Sequence, residues 1–265
     1  MGSILREPLR ADVAKNLVPK LRQLGVESDK DLEAFLSLLR GTRAVSRGDD
    51  IVQLCDTRKT LTVLLAGVAC RYRITANGRR QIFAFQYPGD FCDCYRYIVP
   101  QRDDPVAALA DCLVGAIPHE EIGRIIERYP QISLAFWRNT VLEARLFEER
   151  AWNGVQRPAV ERIANLLCEQ IFRLEAVGIV DHVVPLTQID LADAAGLSVV
   201  HVNRTIQDLR GLGALSKRCH DIKVENKERL VQIAQFDESY LVGTWAQSDR
   251  WQEPAGHRDR TAERT

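Results

Sequence analysis

The sequence predicts an α+β chain in three parts: a strand-rich N-terminal half, one long helix, and a C-terminal winged helix-turn-helix. Three observations carry this. Apolar residues change from helical spacing to a period of two at Thr42 and return to helical spacing at His119. From about Gln131 to Gln156 no Gly or Pro interrupts the chain until Gly154, as a continuous helix requires. Finally, Pro185 to Arg210, PLTQIDLADAAGLSVVHVNRTIQDLR, has the spacing of two short helices joined by a tight turn.

Residues 4–40 read as helical, with Leu17, Leu21 and Leu24, then Leu32, Phe35, Leu36 and Leu39, on apolar stripes. Ile51-Val52, LTVLLAGVACRYRIT (61–75), QIFAFQYPGDF (81–91) and VAALADCLVGAI (106–117) read as strands, and Asn77-Gly78 signals a tight hairpin. Antiparallel strands at this spacing predict a small barrel or sandwich. The long helix carries Phe136, Thr140, Ala144, Phe147 and Ala151 as a continuous seam. One small barrel is too short to cover it, so it is expected to pack against a second copy; a helix covered entirely by its own chain is the alternative, and a molar mass in solution separates the two. Arg157-Pro158 breaks the helix, and AVERIANLLCEQIFRLEAVG forms the next one, ending at Gly178. The expected units are 1–129 (a strand-rich domain with N-terminal helices), 130–156 (dimerisation helix), 157–243 (winged helix-turn-helix) and 244–265 (polar, mostly disordered tail).

In the two-helix window, Thr187 and Asp190 suit a helix start, Leu191, Ala192 and Ala195 form one apolar face, Gly196 turns the chain and Ser198 caps the second helix. Val202, Ile206 and Leu209 should pack inward, leaving Val199, Val200, Asn203, Arg204 and Gln207 outward. Base edges demand that mixture: Arg fits guanine, Asn or Gln fits adenine, and a Val methyl meets the thymine methyl. The expected double-stranded DNA contacts are Ser198, Val199, Val200, His201, Asn203, Arg204, Gln207, Lys217 and Arg218. His201 is placed for a phosphate. Gly211 and Gly213 turn the chain into Ala214-Leu215-Ser216 and Ile222-Lys223-Val224, a β-hairpin wing. An ordinary helical hairpin would need neither the caps nor the outward polar set.

Composition narrows the classes. The 265 residues are 46% hydrophobic and 27% charged with zero formal net charge, ordinary for a soluble two-domain protein. No apolar run approaches the roughly 18 residues of a membrane span, and no charged-then-apolar leader opens the chain, so no membrane partner and a cytoplasmic location are expected. Residues 157–243 hold slightly more acids than bases, but between Ser198 and Lys223 the bases Arg204, Arg210, Lys217, Arg218 and Lys223 outnumber Asp208 and Asp221. The sequence has no Gly-rich phosphate loop, catalytic Ser-His-Asp order or His-Glu-x-x-His, which argues against an enzyme, and no cofactor is expected.

With LADAAGLSVVHVNRTIQDLRGLG as the reader core, HVNRT followed by FDESYL (Phe236 to Leu241), and PGDF (Pro88 to Phe91) in the strand-rich half, the chain resembles the Crp/Fnr family of bacterial transcription regulators along nearly its whole ordered length. The resemblance implies an antiparallel β-roll of the cyclic-nucleotide-binding type. It also implies a homodimer on a two-fold symmetric operator and RNA polymerase as a further partner. It places an effector pocket at Asp90, Asp93, Cys94, Arg102, Asp103, Phe147 and Glu148. There the chain departs from the nucleotide-binding members: Asp93-Cys94 replaces Gly-Glu, the Arg-Ser/Thr pair falls near Arg102-Asp103, and the base-contacting hydroxyl pair aligns with Phe147-Glu148. An Asp facing a phosphate repels it, so cyclic AMP is not the expected ligand. On the recognition helix Val200 stands where the family often has Glu, a change expected to shift the half-site toward thymine. The alternative to a DNA-binding regulator is a non-DNA-binding sensor or scaffold acting through protein contacts; the intact recognition helix argues against it.

Of seven cysteines (Cys55, Cys70, Cys92, Cys94, Cys112, Cys168 and Cys219), five lie in the sensory half. Cys92 and Cys94, with Cys112 on a strand that could come near, are the candidate thiol or metal sensor. Buried cysteines acting as small hydrophobes are the simpler reading; the N-terminal cysteine cluster of the iron–sulfur members is absent. His119 is expected to open a helix.

Overall fold

The computed structural model describes residues 16–54, 56–99, 104–217 and 221–241. Arg102, Asp103, Arg218, Cys55, Cys219, the first part of the expected N-terminal helix and the expected tail fall outside the described residues.

The predicted N-terminal helix is two pieces, α1 (residues 16–23) and α2 (Asp29–Leu36), because Gly25 takes a positive φ of 83° and Ser28 caps a new start by accepting from the Asp31 N–H. The strands are β1 (Arg40–Val45), β2 (Asp50–Val52), β3 (Thr60–Ala66), β4 (Ala69–Ile74), β5 (Arg80–Gln86), β6 (Val106–Ala108) and β7 (Cys112–Pro118). They form two antiparallel sheets, β1-β7-β3 and β2-β6-β4-β5. The two long apolar runs, read from sequence as single strands, each break in the middle: β3 gives way to β4 at Gly67, and β6 to β7 at Leu109–Asp111, as the chain crosses between the facing sheets. The two corners pack on each other so closely that a Cβ on Gly67 would lie 2.4 Å from the Asp111 carbonyl oxygen. Between β4 and β5, Thr75 and Arg79 close a three-residue loop with Gly78 at a φ of 80°, the left-handed position for which Asn77-Gly78 is suited.

Val45, Ile51, Leu64, Cys92, Val106 and Val114 fill the space between the sheets. The outer face of β1-β7-β3 is covered by α1, α2, α3 (His119–Arg128) and the start of α4 (Pro130–Gln156), through Leu17, Leu21, Phe35, Leu61, Ile117 and Ile132. The outer face of the other sheet carries Cys70, Ile82, Phe85 and Tyr87, which share one continuous core with the C-terminal helices. Those are α5 (Ala159–Ala176), α6 (Gln188–Ala195), α7 (Val199–Gly211) and α8 (Lys227–Ala234). Each fully buried Phe or Leu side chain contributes about 1.5–3 kcal/mol, so this shared core holds the C-terminal unit on the sheet.

Ionic groups are sealed at the same junction. Asp90 of the PGDF turn lies 2.8 Å from Lys20 of α1 and 2.7 Å from Arg173 of α5, while Arg150 of α4 lies 2.8 Å from Glu169 of α5. Burial pushes the Asp90 carboxyl up, but the Lys20 and Arg173 charges outweigh it and hold Asp90 below the usual carboxylate range.

Two sequence expectations need correction. Of the seam expected on α4, Phe136 is half-buried and stacks on Phe91 at 5.1 Å, while Thr140, Ala144, Phe147 and Ala151 are exposed; a second exposed apolar stripe runs through Leu134, Trp137, Val141, Trp152 and Val155. Helical spacing identifies an apolar stripe but not which of its members the domain covers. The wing also differs: Leu215 and Val224 form a single bridge, and β9 (Ile222–Lys223) pairs with β8 (Val183–Val184), a two-residue strand too short to leave a period in the sequence.

Candidate nucleic-acid interface and sensory cavity

Local chemistry sets the two-helix motif. At the start of α6, the Thr187 side chain accepts from the Asp190 N–H and the Asp190 carboxylate accepts from the Thr187 N–H, a reciprocal capping box. Gly196 ends α6 at a φ of 65°, and Ser198 starts α7 by accepting from the His201 N–H at 3.2 Å. Val202, Ile206 and Leu209 are buried as expected, joined by Thr205, which the sequence reading had not singled out. Ser198, Val199, Val200, His201, Asn203, Arg204, Gln207 and Lys217 are all exposed. Val200 is 72% exposed, an aliphatic side chain held in solvent at the N-terminal end of the helix. Asn203 donates to Gln188 of α6 at 3.0 Å, and Arg204 has no acidic partner among the described residues.

The expected effector pocket is rearranged. A cavity of about 340 Å³ lies between β4, β5 and α4, lined by Arg71, Arg73, Phe83, Tyr95, Val99, Asp104, Glu143 and Phe147. Beside it a space of about 30 Å³, bordered by Asp90 and Phe147, holds only a water or two. Of the residues expected here, Phe147 and Asp90 border these spaces. Asp93, Cys94 and Glu148 do not. Asp93 turns to β3, accepting from the Thr62 N–H at 2.6 Å and the Thr62 hydroxyl at 3.1 Å, and burial raises its carboxyl to about 6. Cys94 is packed behind α4, where Asn139 meets its sulfur at 3.8 Å; Glu148 is exposed on the far side of the helix.

The cavity cations are already partnered. The Arg71 guanidinium sits 3.3 Å from Glu143, and 5.3 and 5.4 Å from the Tyr95 and Phe147 ring centres. Arg73 donates two hydrogen bonds to Asp104, one of 3.0 Å, and lies 5.2 Å over Phe83. These residues escaped the sequence reading, although a signal existed: Arg71 and Arg73 stand two apart on one strand, and Glu143 and Phe147 one turn apart on one helix.

Cys92 and Cys112 lie in the core between the sheets, while Cys94 packs on the other side against the helices. Burial pushes all three thiols up, away from the reactive thiolate. Among the described residues no three His, Cys, Asp or Glu side chains are grouped to hold a metal ion, and no helix is long and apolar enough to cross a membrane.

Comparison with known proteins matches this architecture part by part. Residues 42–129 match the cyclic nucleotide-binding domain family, and residues 161–233 match the Crp-like helix-turn-helix domain family. The nitrogen fixation regulation protein FixK of Bradyrhizobium diazoefficiens is 30% identical over 176 residues, covering 64% of this chain and 72% of the relative. This chain belongs to the Crp/Fnr family. The anaerobic regulatory protein of Pasteurella multocida is 21% identical over 209 residues, covering 78% of this chain and 77% of that protein. The structure of FixK2 from Bradyrhizobium japonicum has the same fold, with a TM-score of 0.62 at 22% identity over 73% of this chain and 96% of that one. The Crp/Fnr assignment makes the chain a helix-turn-helix transcription regulator.

Proposed function

We propose that this Crp/Fnr regulator acts as a homodimer on a two-fold symmetric operator, reads each half-site with α7, and does not take cyclic AMP as its effector. In this reading residues 1–129 form the sensory domain, 130–156 the dimerisation helix and 157–243 the DNA reader. The observation that carries it is the face of α7: Val199, Val200, His201, Asn203, Arg204 and Gln207 stand in solvent while Val202, Ile206 and Leu209 fix the helix from behind. Lys217 stands exposed beyond it as a phosphate contact.

The dimer reading is supported by the exposed stripe of Leu134, Trp137, Val141, Trp152 and Val155, more apolar surface than one helix face normally leaves in water. A parallel pairing of two such helices sets two recognition helices about one turn of DNA apart. Against cyclic AMP stands the cavity itself. Asp104 places a carboxylate in its wall, and Arg71 and Arg73, which could meet a phosphate, are engaged by Glu143 and Asp104. RNA polymerase is the further partner this function requires.

In vitro selection from a random duplex pool, with and without reductant and without added nucleotide, tests the reading. An enriched palindrome is the expected result in both conditions. No enrichment in either removes it in favour of a scaffold acting through protein contacts, and enrichment in one alone assigns a switch to the thiols Cys92, Cys94 and Cys112.

A further inference from the structure

The β4–β5 hairpin of the sensory sheet reaches across to the reader. Arg80, the first residue of β5, donates from Nε to Asp193 Oδ2 at 2.7 Å and from Nη2 to Asp190 Oδ1 at 2.6 Å, both on α6. Thr75, Ala76, Asn77, Arg79, Arg80 and Gln81 form one wall of a groove of about 710 Å³; the other wall is α6 and the turn into α7, from Ala192 and Asp193 through Gly196 to Val199. Arg79, beside the loop tip, is exposed and meets no acid among the described residues.

We propose that this hairpin is part of the DNA interface, with Arg79 as a phosphate contact and Arg80 as the positioning residue that holds it there. The proposal rests on the DNA-reading function assigned above to α7. In a helix-turn-helix the second helix enters the major groove by its N-terminal end, and the first crosses the sugar-phosphate backbone at the groove wall. The hairpin is pinned to that first helix and opens onto the N-terminal end of the second. The tip therefore lies where the phosphates pass.

Charge gives an independent reason. Residues 157–243 carry twelve acids against ten bases, so the reader unit alone has the wrong sign for a polyanion, and Asp190 and Asp193 sit on the helix that must face phosphate. Arg80 covers both carboxylates, and Arg79 adds the charge that brings the Asp190, Asp193, Arg80 and Arg79 group to neutrality. The sensory domain thus supplies part of the field that its own reader lacks. An interface built across the two domains also makes DNA affinity depend on how they are docked.

The test is fluorescence anisotropy of a labelled operator duplex, taken from the selection above, and of a scrambled duplex of equal length, titrated with full-length protein across a KCl series. Each phosphate contact contributes about 0.9 to the slope of log K against log salt. Arg79→Ala is therefore expected to flatten the slope by about 1.8 for a dimer, and the affinity lost between about 50 and 200 mM salt should fall roughly tenfold. Binding to both duplexes should weaken by the same factor, because a phosphate contact carries no sequence information. Arg79→Lys should restore the slope, and Arg80→Gln, which releases the hairpin, should flatten it as Arg79→Ala does. An unchanged slope in Arg79→Ala overturns the proposal. Tighter binding also overturns it and makes the hairpin an obstruction. A defect seen only in transcription with RNA polymerase assigns the hairpin to a protein contact instead. If the wild-type protein binds neither duplex, the DNA-reading function itself fails, an outcome separate from any effect of Arg79.

Discussion

Arg204 and Arg173 carry the same guanidinium and live opposite lives. Arg204 stands on the outer face of α7 with its donors in water, whereas Arg173 is buried between Asp90 and Glu169, at 2.7 and 3.5 Å. The cavity arginines Arg71 and Arg73 resemble Arg173 in being paired within the chain. A surface meant for a partner keeps its hydrogen-bonding groups unspent, and stability hardly depends on them. A junction that has spent its charges internally depends on every member, since removing one leaves the others buried and uncompensated.

The largest effect that would sharpen this contrast is at the junction. Asp90→Ala strands Lys20 and leaves Arg173 with Glu169 alone, and is expected to destabilise the fold by about 3–5 kcal/mol in urea denaturation. A loss similar to that of an exposed charge would erase the distinction. Asp93 gives the next effect and the opposite pH signature. Burial raises its carboxyl from 3.8 to about 6, so the folded protein keeps a proton that the unfolded chain has released. This group's contribution to stability is complete below the unfolded value and is lost as pH rises through about 6, amounting to up to about 3 kcal/mol at about 1.36 kcal/mol per unit. Asp93→Asn should flatten stability measured between pH 4 and 6; an unchanged pH profile would place the titration elsewhere.

At the reader the readout changes from folding to binding. Arg204→Ala should weaken binding by about 1–3 kcal/mol per half-site and relax the sequence preference at one position, while its melting temperature stays near that of the native protein. Equal weakening on specific and scrambled duplexes would reduce Arg204 to a phosphate contact. Smallest in energy but most informative about specificity is Val200→Glu. Replacing exposed methyls by a carboxylate acceptor should move one half-site position from thymine toward cytosine in a repeated selection. Recovery of the same half-site would mean that Val200 touches no base.

Much of the reader was legible because its determinants are local. Thr187 with Asp190, Gly196, and Ser198 with His201 act over three or four residues, and the alternation of Val202, Ile206 and Leu209 with the exposed set is a helical period. The loop containing Asn77-Gly78 was legible for the same reason. The cavity was not. Arg71 meets Glu143 across 72 positions, and Arg80 meets Asp190 across 110.

The sequence by itself determined where α4, α6 and α7 start and stop, which face of α7 is apolar, and the turns at Asn77-Gly78 and Gly196, since backbone conformation and capping answer to near neighbours. Tertiary structure decided the rest. It covered Phe136 of α4 while leaving Phe147 exposed, split two apolar runs between facing sheets, turned Asp93 away from the cavity toward Thr62, and laid the C-terminal helices on the β2-β6-β4-β5 sheet through Phe85 and Tyr87. Those outcomes depend on which distant surfaces and charges meet, because burial and ion pairing are settled by proximity in space and leave no period in the chain.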